Sequence, residues 1–287
     1  MKKTKASLIT TFTWVLVLVF FFPVGWMFLN SFKSENDAAS IVPKIFFEAD
    51  FSGFQRLMDR GMMSYLEHSL ASSITSTLLV IVLAVPAAYA LSIRPIKNVQ
   101  DALSFFISTR FMPAAASILP LYMIFKTLHV LDNVGALTLV YAAMNLPIAV
   151  WMMRSFFSEV PLEIVEAAQI DGANFRTELT RVVLPIVLPG IAAVALICFI
   201  FSWNEYFLAT LLTSNNAKTT PPFLASFVDG RGLFLSVLSA ASTVAALPVI
   251  IAGWLAQKQL VRGLASATLQ SHPCVLAWMC LATTEAK

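Results

Sequence analysis

Six long apolar segments decide what this 287-residue chain can fold into. They cover about residues 8–30, 69–93, 103–126, 135–157, 187–211 and 234–257. A helix needs roughly 20 mostly apolar residues to cross a bilayer, and each segment reaches that length. A chain exposed to lipid must also satisfy its backbone hydrogen bonds internally, which favours helices. We therefore expect an all-α, polytopic membrane protein with six transmembrane helices.

The composition supports this interpretation and excludes others. Hydrophobic residues make up 58% of the chain and charged residues 12%, whereas charged residues make up about 25% of soluble domains. The formal net charge is only +3 and the basic residues form no cluster, so no nucleic-acid partner is expected. Cys198, Cys274 and Cys280 lack metal-ligand spacing, and no metal site is predicted.

The first apolar segment is expected to stay in the protein as a membrane span. It follows Met1-Lys2-Lys3-Thr4-Lys5, a start that signal peptides share. The apolar run then continues from about Ser7 to Leu29, beyond the roughly 7–15 residues of a signal-peptide core. No small-residue cleavage site ends the run.

The distribution of Lys and Arg predicts the orientation. With the N-terminus in the cytoplasm, eleven of the nineteen basic residues lie on the cytoplasmic side, seven lie on the other side, and Arg110 lies within or near the third span. Cytoplasmic loops carry the excess of Lys and Arg. We therefore expect both termini, and the loop of residues 158–186, in the cytoplasm.

The loop between the fourth and fifth segments predicts two short helices with a glycine corner between them. Pro161 suits the first turn of a helix over about residues 161–170, because its missing N–H would be unpaired there. Gly172 suits the left-handed residue that closes a helix. Asn174 suits the cap of a second helix over about residues 175–184.

The first of these helices is predicted to have two different sides. Leu162, Val165 and Ala168 mark an apolar side, and Glu163 and Glu166 share another at a spacing of three residues. From these residues alone, a helix that docks on a partner and a surface hairpin that only joins two spans both stay open.

The same loop resembles the EAA loop of permease subunits in binding-protein-dependent ABC importers, whose pattern is E-A-A-x3-G-x9-I-x-L-P. The matching residues are Glu166-Ala167-Ala168, Gly172 and, with the gap before the Leu-Pro ending counted loosely, Ile186-Val187-Leu188-Pro189. The resemblance extends over most of the chain, including PAAYALS at residues 86–92 and FSWNEYFLATLLT at residues 201–213.

Within that family the chain is most similar to the carbohydrate branch, including the smaller maltose permease subunit. The stretch from Pro221 to Leu264 is most similar to permeases for sugar alcohols such as mannitol and sorbitol. The resemblance implies a transmembrane domain over residues 1–264 that moves a sugar or sugar alcohol into the cytoplasm. It also implies a transporter subunit and not an enzyme.

The resemblance also implies how transport is powered. In such permeases the EAA loop is a coupling helix that inserts into a cleft of a separate ATP-hydrolysing subunit. The residues that it assigns to this contact are Glu166, Ala167, Ala168, Asp171, Gly172 and Pro189. This chain contains no G-x-x-x-x-G-K-[ST] sequence. ATP and Mg²⁺ are therefore expected on the partner subunit, and no cofactor is expected on this chain.

The implied partners form a complex in a bacterial inner (plasma) membrane, with lipid around the spans. They are a second homologous permease subunit, two ATP-binding subunits and a periplasmic or extracellular solute-binding protein. The outer loop of residues 212–233 corresponds by position to the loop that, in the maltose system, reaches into the binding protein's cleft.

Polar residues within the spans are candidates for the translocation pathway or a gate, because charge is expensive there. Trp203, Asn204 and Glu205 lie toward the outer half of the fifth segment, and Arg110 lies in the third. An interfacial aromatic belt and a structural ion pair are the alternative interpretation of these residues.

Two other classes of protein fit the sequence less well. A standalone secondary transporter of a small polar solute would be favoured by inverted repeats and by an acidic relay beyond Glu205, and neither is visible. A membrane enzyme would need a catalytic or metal constellation, which the sequence lacks. One departure from the family is residues 265–287, an atypical C-terminal tail whose apolar core is too short to span a membrane.

Overall fold

The computed structural model describes residues 2–94, 97–111, 114–229 and 232–271, most of which are helical. The elements in chain order are α1 (Lys2–Asn30), α2 (Glu35–Ala38), α3 (Ser52–Asp59), α4 (Met62–Ile93), α5 (Val99–Phe111), α6 (Ala114–Thr127), α7 (Val134–Ser158), α8 (Leu162–Ile170), α9 (Phe175–Thr177), a π-helix (Glu178–Val183), α10 (Leu184–Trp203), α11 (Phe207–Leu212), α12 (Thr220–Ala225), the two-residue strands β1 (Val228–Asp229) and β2 (Gly232–Leu233), and α13 (Leu235–Ser271).

Among the described residues, five helical stretches are long and apolar enough to cross a membrane, in agreement with five of the six predicted spans. They are Ile9–Asn30, Met62–Ile93, Val134–Ser158, Phe175–Trp203 and Leu235–Gln257. The side chains of residues 9–24 in α1 are exposed in the chain alone, with Phe20 at 79%. A contiguous apolar surface of this size marks contact with lipid or with another protein.

The third predicted span, about residues 103–126, is not one straight helix. Its two parts, Val99–Phe111 and Ala116–Thr127, are bent relative to each other by 87°, and the pair counts as a sixth span only if both parts are taken together. Pro113 falls between them, outside the described residues.

The chain divides into two compact units, of which the first contains residues 1–69 and 214–248. Its core is made by apolar side chains from α3, α4, α12, α13 and the segment after α12: Leu57, Met62, Phe223, Phe227, Val237, Ala240, Ala241 and Ala245. Tyr65 stacks on Phe223, with 4.1 Å between the ring centroids. Part of the predicted outer loop 212–233 is therefore folded into this core.

A buried lysine follows α1 in the same unit. Lys33 is only 1% exposed, its Nζ donates a hydrogen bond to Asn30 Oδ1 at 2.8 Å, and Nζ lies 4.1 Å from the ring centroid of Trp26. Burial lowers the pKa of the Lys33 ammonium, and the Asp37 carboxylate acts in the opposite direction. The amide and the aromatic ring replace the water that burial removes.

The second unit contains residues 70–213 and 249–287, and α7 and α10 pack together at its centre. Its main core joins buried apolar side chains of α4, α7, α8, the π-helix and α10. A Cβ atom built on Gly190 would lie 2.3 Å from Phe156 Cγ. The missing side chain therefore allows α10 to approach α7 closely.

The fifth predicted span, about residues 187–211, ends earlier than expected. Helix α10 ends at Trp203, and α11 begins only at Phe207. Between them, Glu205 Oε1 accepts a hydrogen bond from the Leu208 backbone N–H at 2.8 Å. This carboxylate satisfies an N–H in the first turn of α11 that has no partner within the helix.

Helix α13 is longer than the sixth predicted span. Its membrane-spanning part ends at Gln257, and the helix itself continues to Ser271. The beginning of the atypical tail 265–287 is therefore helical, and residues 272–287 lie outside the described residues.

Candidate functional site

The predicted glycine corner in the loop 158–186 is present. Helix α8 starts after Pro161, which is its N-cap residue, and runs over Leu162–Ile170. Gly172 has a φ of +82°. The Gly172 N–H bonds to the Gln169 carbonyl at 3.0 Å and the Ala173 N–H to the Ala168 carbonyl at 2.9 Å. This pair of bonds is the Schellman motif, which closes a helix with one left-handed residue.

The second helix of the loop begins where it was predicted but does not end there. Asn174 Oδ1 accepts a hydrogen bond from the Thr177 N–H at 2.9 Å, as expected of an N-cap residue. Helix α9 then runs directly into the π-helix Glu178–Val183 and into α10. The predicted separate helix over about 175–184 is therefore the start of the fifth span.

Helix α8 exposes most of its surface, apolar residues included. Val165 is buried, but Leu162, on the same predicted apolar side, is exposed. Ile164 is also exposed, and Ile170 is 86% exposed. A nine-residue helix is too short to be stable alone, so its attachments to the unit determine its position.

Five of the six residues assigned to ATPase coupling lie on this exposed surface or close to it, whereas Pro189 lies inside α10. Glu166, Ala167, Asp171 and Gly172 are exposed and Ala168 is partly buried. The structure thus brings together the acidic and small side chains singled out in the sequence, next to exposed isoleucines. A surface of this composition is available to a protein partner.

The Leu-Pro ending of the family pattern has two positions in this chain. Nine residues counted strictly from Gly172 lead to Val182-Val183-Leu184-Pro185, four residues before Leu188-Pro189. Pro185 lies in the first turn of α10, where a proline is well tolerated, whereas Pro189 lies inside the helix.

A buried carboxylate that the sequence analysis did not single out ties the loop to α4. Glu178 is 0% exposed. Its carboxylate accepts hydrogen bonds from the Tyr89 hydroxyl, from Arg94 Nη2 at 2.9 Å and from Gln169 Nε2 at 3.2 Å. Buried charge is tolerated only when it is paired and hydrogen-bonded, and here both conditions are met.

Aromatic rings pack against Tyr89, one of the hydrogen-bond partners of this carboxylate. The Tyr89 ring packs edge-on against Phe175 at 5.4 Å and against Phe157 at 6.1 Å between centroids. The Arg94 guanidinium carbon lies 5.7 Å from the Tyr89 ring centroid. Side chains from α4, α7 and α9 therefore pack together on the Tyr89 side of the network. We call Tyr89, Arg94, Gln169 and Glu178 the Glu178 network.

One signal in the sequence pointed to this network. By their spacing, Phe175, Leu179 and Val182 share one face of a helix, and Glu178 falls on that face at i+3 from Phe175. An acid on the apolar side of a helix predicts a buried charge with a partner. Its partner Arg94 comes from a distant part of the sequence, and periodicity alone cannot identify it.

The pathway candidates of the fifth span do not form one cluster. Trp203 is buried and stacks on Phe199 at 5.8 Å between centroids. Asn204 is exposed and its Nδ2 donates to the Ile200 carbonyl at 2.8 Å. Glu205 is partly buried and is engaged with the first turn of α11. Each of these contacts joins residues no more than four positions apart in the chain.

Arg110 lies beside a cleft. Its Nη1 donates to the Met144 carbonyl at 3.0 Å, and its guanidinium carbon lies 5.3 Å from the Phe201 ring centroid. The cleft has a volume of about 600 Å³, and Thr109 and Ser117 add polar groups to its lining. Among the described residues no carboxylate lies within ion-pair distance of Arg110.

A buried polar seam joins α4, α7 and α10 in the second unit. Ser202 Oγ lies 3.1 Å from Ser76 Oγ and accepts a hydrogen bond from Asn145 Nδ2 at 2.9 Å. Hydrogen bonds of this kind between spans hold helices together in lipid.

Fold and site together define a class: a helical membrane protein with up to six spans among the described residues and a short helix between two of them. The chain belongs to the family of binding-protein-dependent transport system inner membrane components, whose model matches residues 80–265. It is therefore a permease subunit of an ABC transporter, and neither an enzyme nor a standalone secondary transporter.

Relatives match over most of their length. The chain is 35% identical to the probable ABC transporter permease protein y4oR of Sinorhizobium fredii, over 94% of this chain and 97% of the relative. It is 31% identical to the sulfoquinovosyl glycerol transport system permease protein SmoH of Agrobacterium fabrum, over 89% and 91%. It is 29% identical to the trehalose/maltose transport system permease protein MalG of Thermococcus litoralis, over 90% and 94%.

A solved structure shares the fold. It is a bacterial ABC transporter involved in the import of the acidic polysaccharide alginate, with a TM-score of 0.75 and 22% identity, over 90% of this chain and 97% of the other. At this level of identity the comparison shows the fold alone. It agrees with the all-α, multi-span architecture.

Proposed function

We propose that this chain is a permease subunit of an ABC importer that carries a sugar or a sugar alcohol into the bacterial cytoplasm. ATP would be hydrolysed on a separate subunit, and helix α8 would transmit the movement of that subunit to the spans. The observation that carries the proposal is the surface of α8, where exposed Glu166 and Ala167 lie beside the exposed apolar side chain of Ile170.

The surface of α8 suits a docking contact for physical reasons. When a partner buries the Ile170 side chain, the free energy of the complex falls by about 25 cal/mol per Å² of apolar surface removed from water. Ala167 allows close approach, and Glu166 and Asp171 supply charge that a basic cleft would pair. Glu166, Ala167 and Asp171 are among the residues that the resemblance to the EAA loop assigns to coupling, with Ala168, Gly172 and Pro189. Ile170 is added to them here because its side chain is exposed.

The relatives support a sugar as the substrate class. Their names refer to sulfoquinovosyl glycerol, diacetylchitobiose, and trehalose or maltose. The extension to sugar alcohols depends on the sequence similarity from Pro221 to Leu264. The Arg110 cleft is the proposed part of the translocation pathway, because an intramembrane cation beside a cleft is a functional candidate. Trp203, Asn204 and Glu205 are proposed to support the gate structurally.

The proposed complex contains a second homologous permease subunit, two ATP-binding subunits with ATP and Mg²⁺, and a solute-binding protein that docks on the face of the outer loops. It lies in the inner membrane with both termini of this chain in the cytoplasm. The excess of Lys and Arg on the side of the loop 158–186 supports this orientation.

Uptake into liposomes tests the proposal. The chain is co-produced with its candidate partner subunits and reconstituted with the solute-binding protein, and uptake of labelled sugars and sugar alcohols is measured with ATP or ADP inside. We expect uptake with ATP and none with ADP. Uptake that an ion gradient drives without ATP would contradict the proposal and favour a secondary transporter.

A further inference from the structure

We infer that Glu178 is a positioning residue that makes α8 and the end of α4 move together, so that a displacement of the loop reaches the second span. The inference deepens the proposed function and rests on it, since it concerns the same loop. It assigns a role to a carboxylate that lies outside the E-A-A-x3-G segment.

The geometry of the Glu178 network supports a mechanical link. Gln169 is in the last turn of α8, Tyr89 is in the last turns of α4, and Arg94 follows Ile93 at the end of that helix. Glu178 bonds to all three side chains. One carboxylate thus connects the docking helix, the second span and the beginning of the fifth span.

The burial of Glu178 makes the link stiff. If α8 moved away from α4, the carboxylate would lose Gln169, Arg94 or both, and a buried charge without its partners is strongly unfavourable. Movement of the three segments as one body avoids that loss. Arg94 keeps about one third of its side chain exposed, at 36%, so the enclosed part of the network is the carboxylate.

The backbone changes from α-helical to π-helical conformation at Glu178. The π-helix begins at Glu178 and passes into α10 at Leu184. Short π-helical segments are rare, and they are frequent at functional sites. The link therefore lies where the loop becomes the fifth span, which is the position from which a loop movement can turn that span as well.

The test measures how many sugar molecules are taken up per ATP hydrolysed by the full reconstituted complex. Glu178→Gln keeps the shape of the side chain and removes the charge that pairs with Arg94. We expect the complex to assemble and to hydrolyse ATP within about twofold of the unchanged protein, while uptake per ATP falls roughly tenfold, a usual size for coupling between sites. Glu159→Gln, on an exposed glutamate of the same loop, should leave the ratio unchanged.

Two further variants test the inference even if Glu178→Gln does not assemble into the complex. Arg94→Gln should lower uptake per ATP as Glu178→Gln does, and the double variant should be no worse than either single one, because both remove the same ion pair. Tyr89→Phe keeps the ring packing and should lower the ratio by a smaller factor. If Glu178→Gln prevents assembly, a normal ratio in Tyr89→Phe and Arg94→Gln would overturn the inference.

The inference and the proposed function fail in different ways. Suppose that Glu166→Lys shows that the loop is needed to bind the ATP-binding subunit. If Glu178→Gln then takes up as much sugar per ATP as the unchanged protein, only the inference about Glu178 is wrong. If Glu166→Lys retains the ATP-binding subunit and full ATP-driven uptake, the docking role of the loop itself is wrong, and the link proposed here is wrong with it.

Discussion

Gly172 shows how a single residue sets the shape of the loop. Its φ of +82° is a conformation that residues with a Cβ rarely adopt, and nothing lies within 4 Å of the position where a Cβ would be. The requirement for glycine is therefore conformational and not steric. This corner was predictable because a glycine after a short amphipathic pattern is a helix-ending signal.

Substitution of Gly172 should separate conformation from size. Gly172→Ala is expected to destabilise the loop by about 1 kcal/mol, because a left-handed alanine costs roughly 1–2 kcal/mol. Gly172→Asn should cost less, since asparagine tolerates this conformation better. The measurement is ATP-driven uptake by the reconstituted complex over a range of ATPase concentrations. If Gly172→Ala, Gly172→Asn and the unchanged protein show the same ATP-driven uptake, the loop does not depend on a left-handed residue at this position.

Glu178 shows the limit of sequence reasoning at the same scale. The acid was visible on an apolar face, but its partners Tyr89 and Arg94 are 89 and 84 positions away. Only the packing of α4 against the π-helix brings them together. Local pattern predicts that a charge needs a partner, and tertiary structure decides which one.

At the scale of elements, the helices were predictable and their interruptions were not. The apolar segments predicted every long span, because length and hydrophobicity are sufficient for that purpose. The 87° bend in the third span and the break after Trp203 depend on how proline and capping contacts are accommodated among neighbouring helices. The segment at Phe175 was also predicted as a separate helix, whereas it continues into the fifth span.

The packing of α7 against α10 gives a prediction for one element pair. Gly190→Ala gains about 1 kcal/mol of helix propensity, but the new methyl group overlaps the Phe156 ring, and overpacking costs about 1–3 kcal/mol. We expect a net loss of stability, seen as a lower thermal midpoint of the purified chain in detergent.

A matched control exists in α13. At Gly253 nothing lies within 4 Å of an added Cβ, so Gly253→Ala should leave the midpoint unchanged or raise it slightly. A Gly190→Ala protein as stable as Gly253→Ala would show that α10 and α7 are not in close contact at this point.

At the scale of the whole molecule, the orientation is open to direct measurement. Ile170 and Ile41 are both exposed isoleucines, in the loop 158–186 and in the loop after α1. With Cys274 and Cys280 changed to serine, Ile170→Cys should react with a membrane-impermeant maleimide only from the cytoplasmic side. Ile41→Cys should react only from the outside. If Ile170→Cys reacts only from the outside and Ile41→Cys only from the cytoplasmic side, the termini do not lie in the cytoplasm.

The central claim is that α8 docks on an ATP-binding subunit, and the most direct measurement is co-purification of that subunit with this chain. Ile170→Asp places a charge on the proposed contact, and Ile41→Asp makes the same change at an exposed isoleucine in the other loop. We predict that Ile170→Asp lowers the recovered ATP-binding subunit at least tenfold, whereas Ile41→Asp leaves it unchanged. Full recovery with Ile170→Asp would contradict the claim.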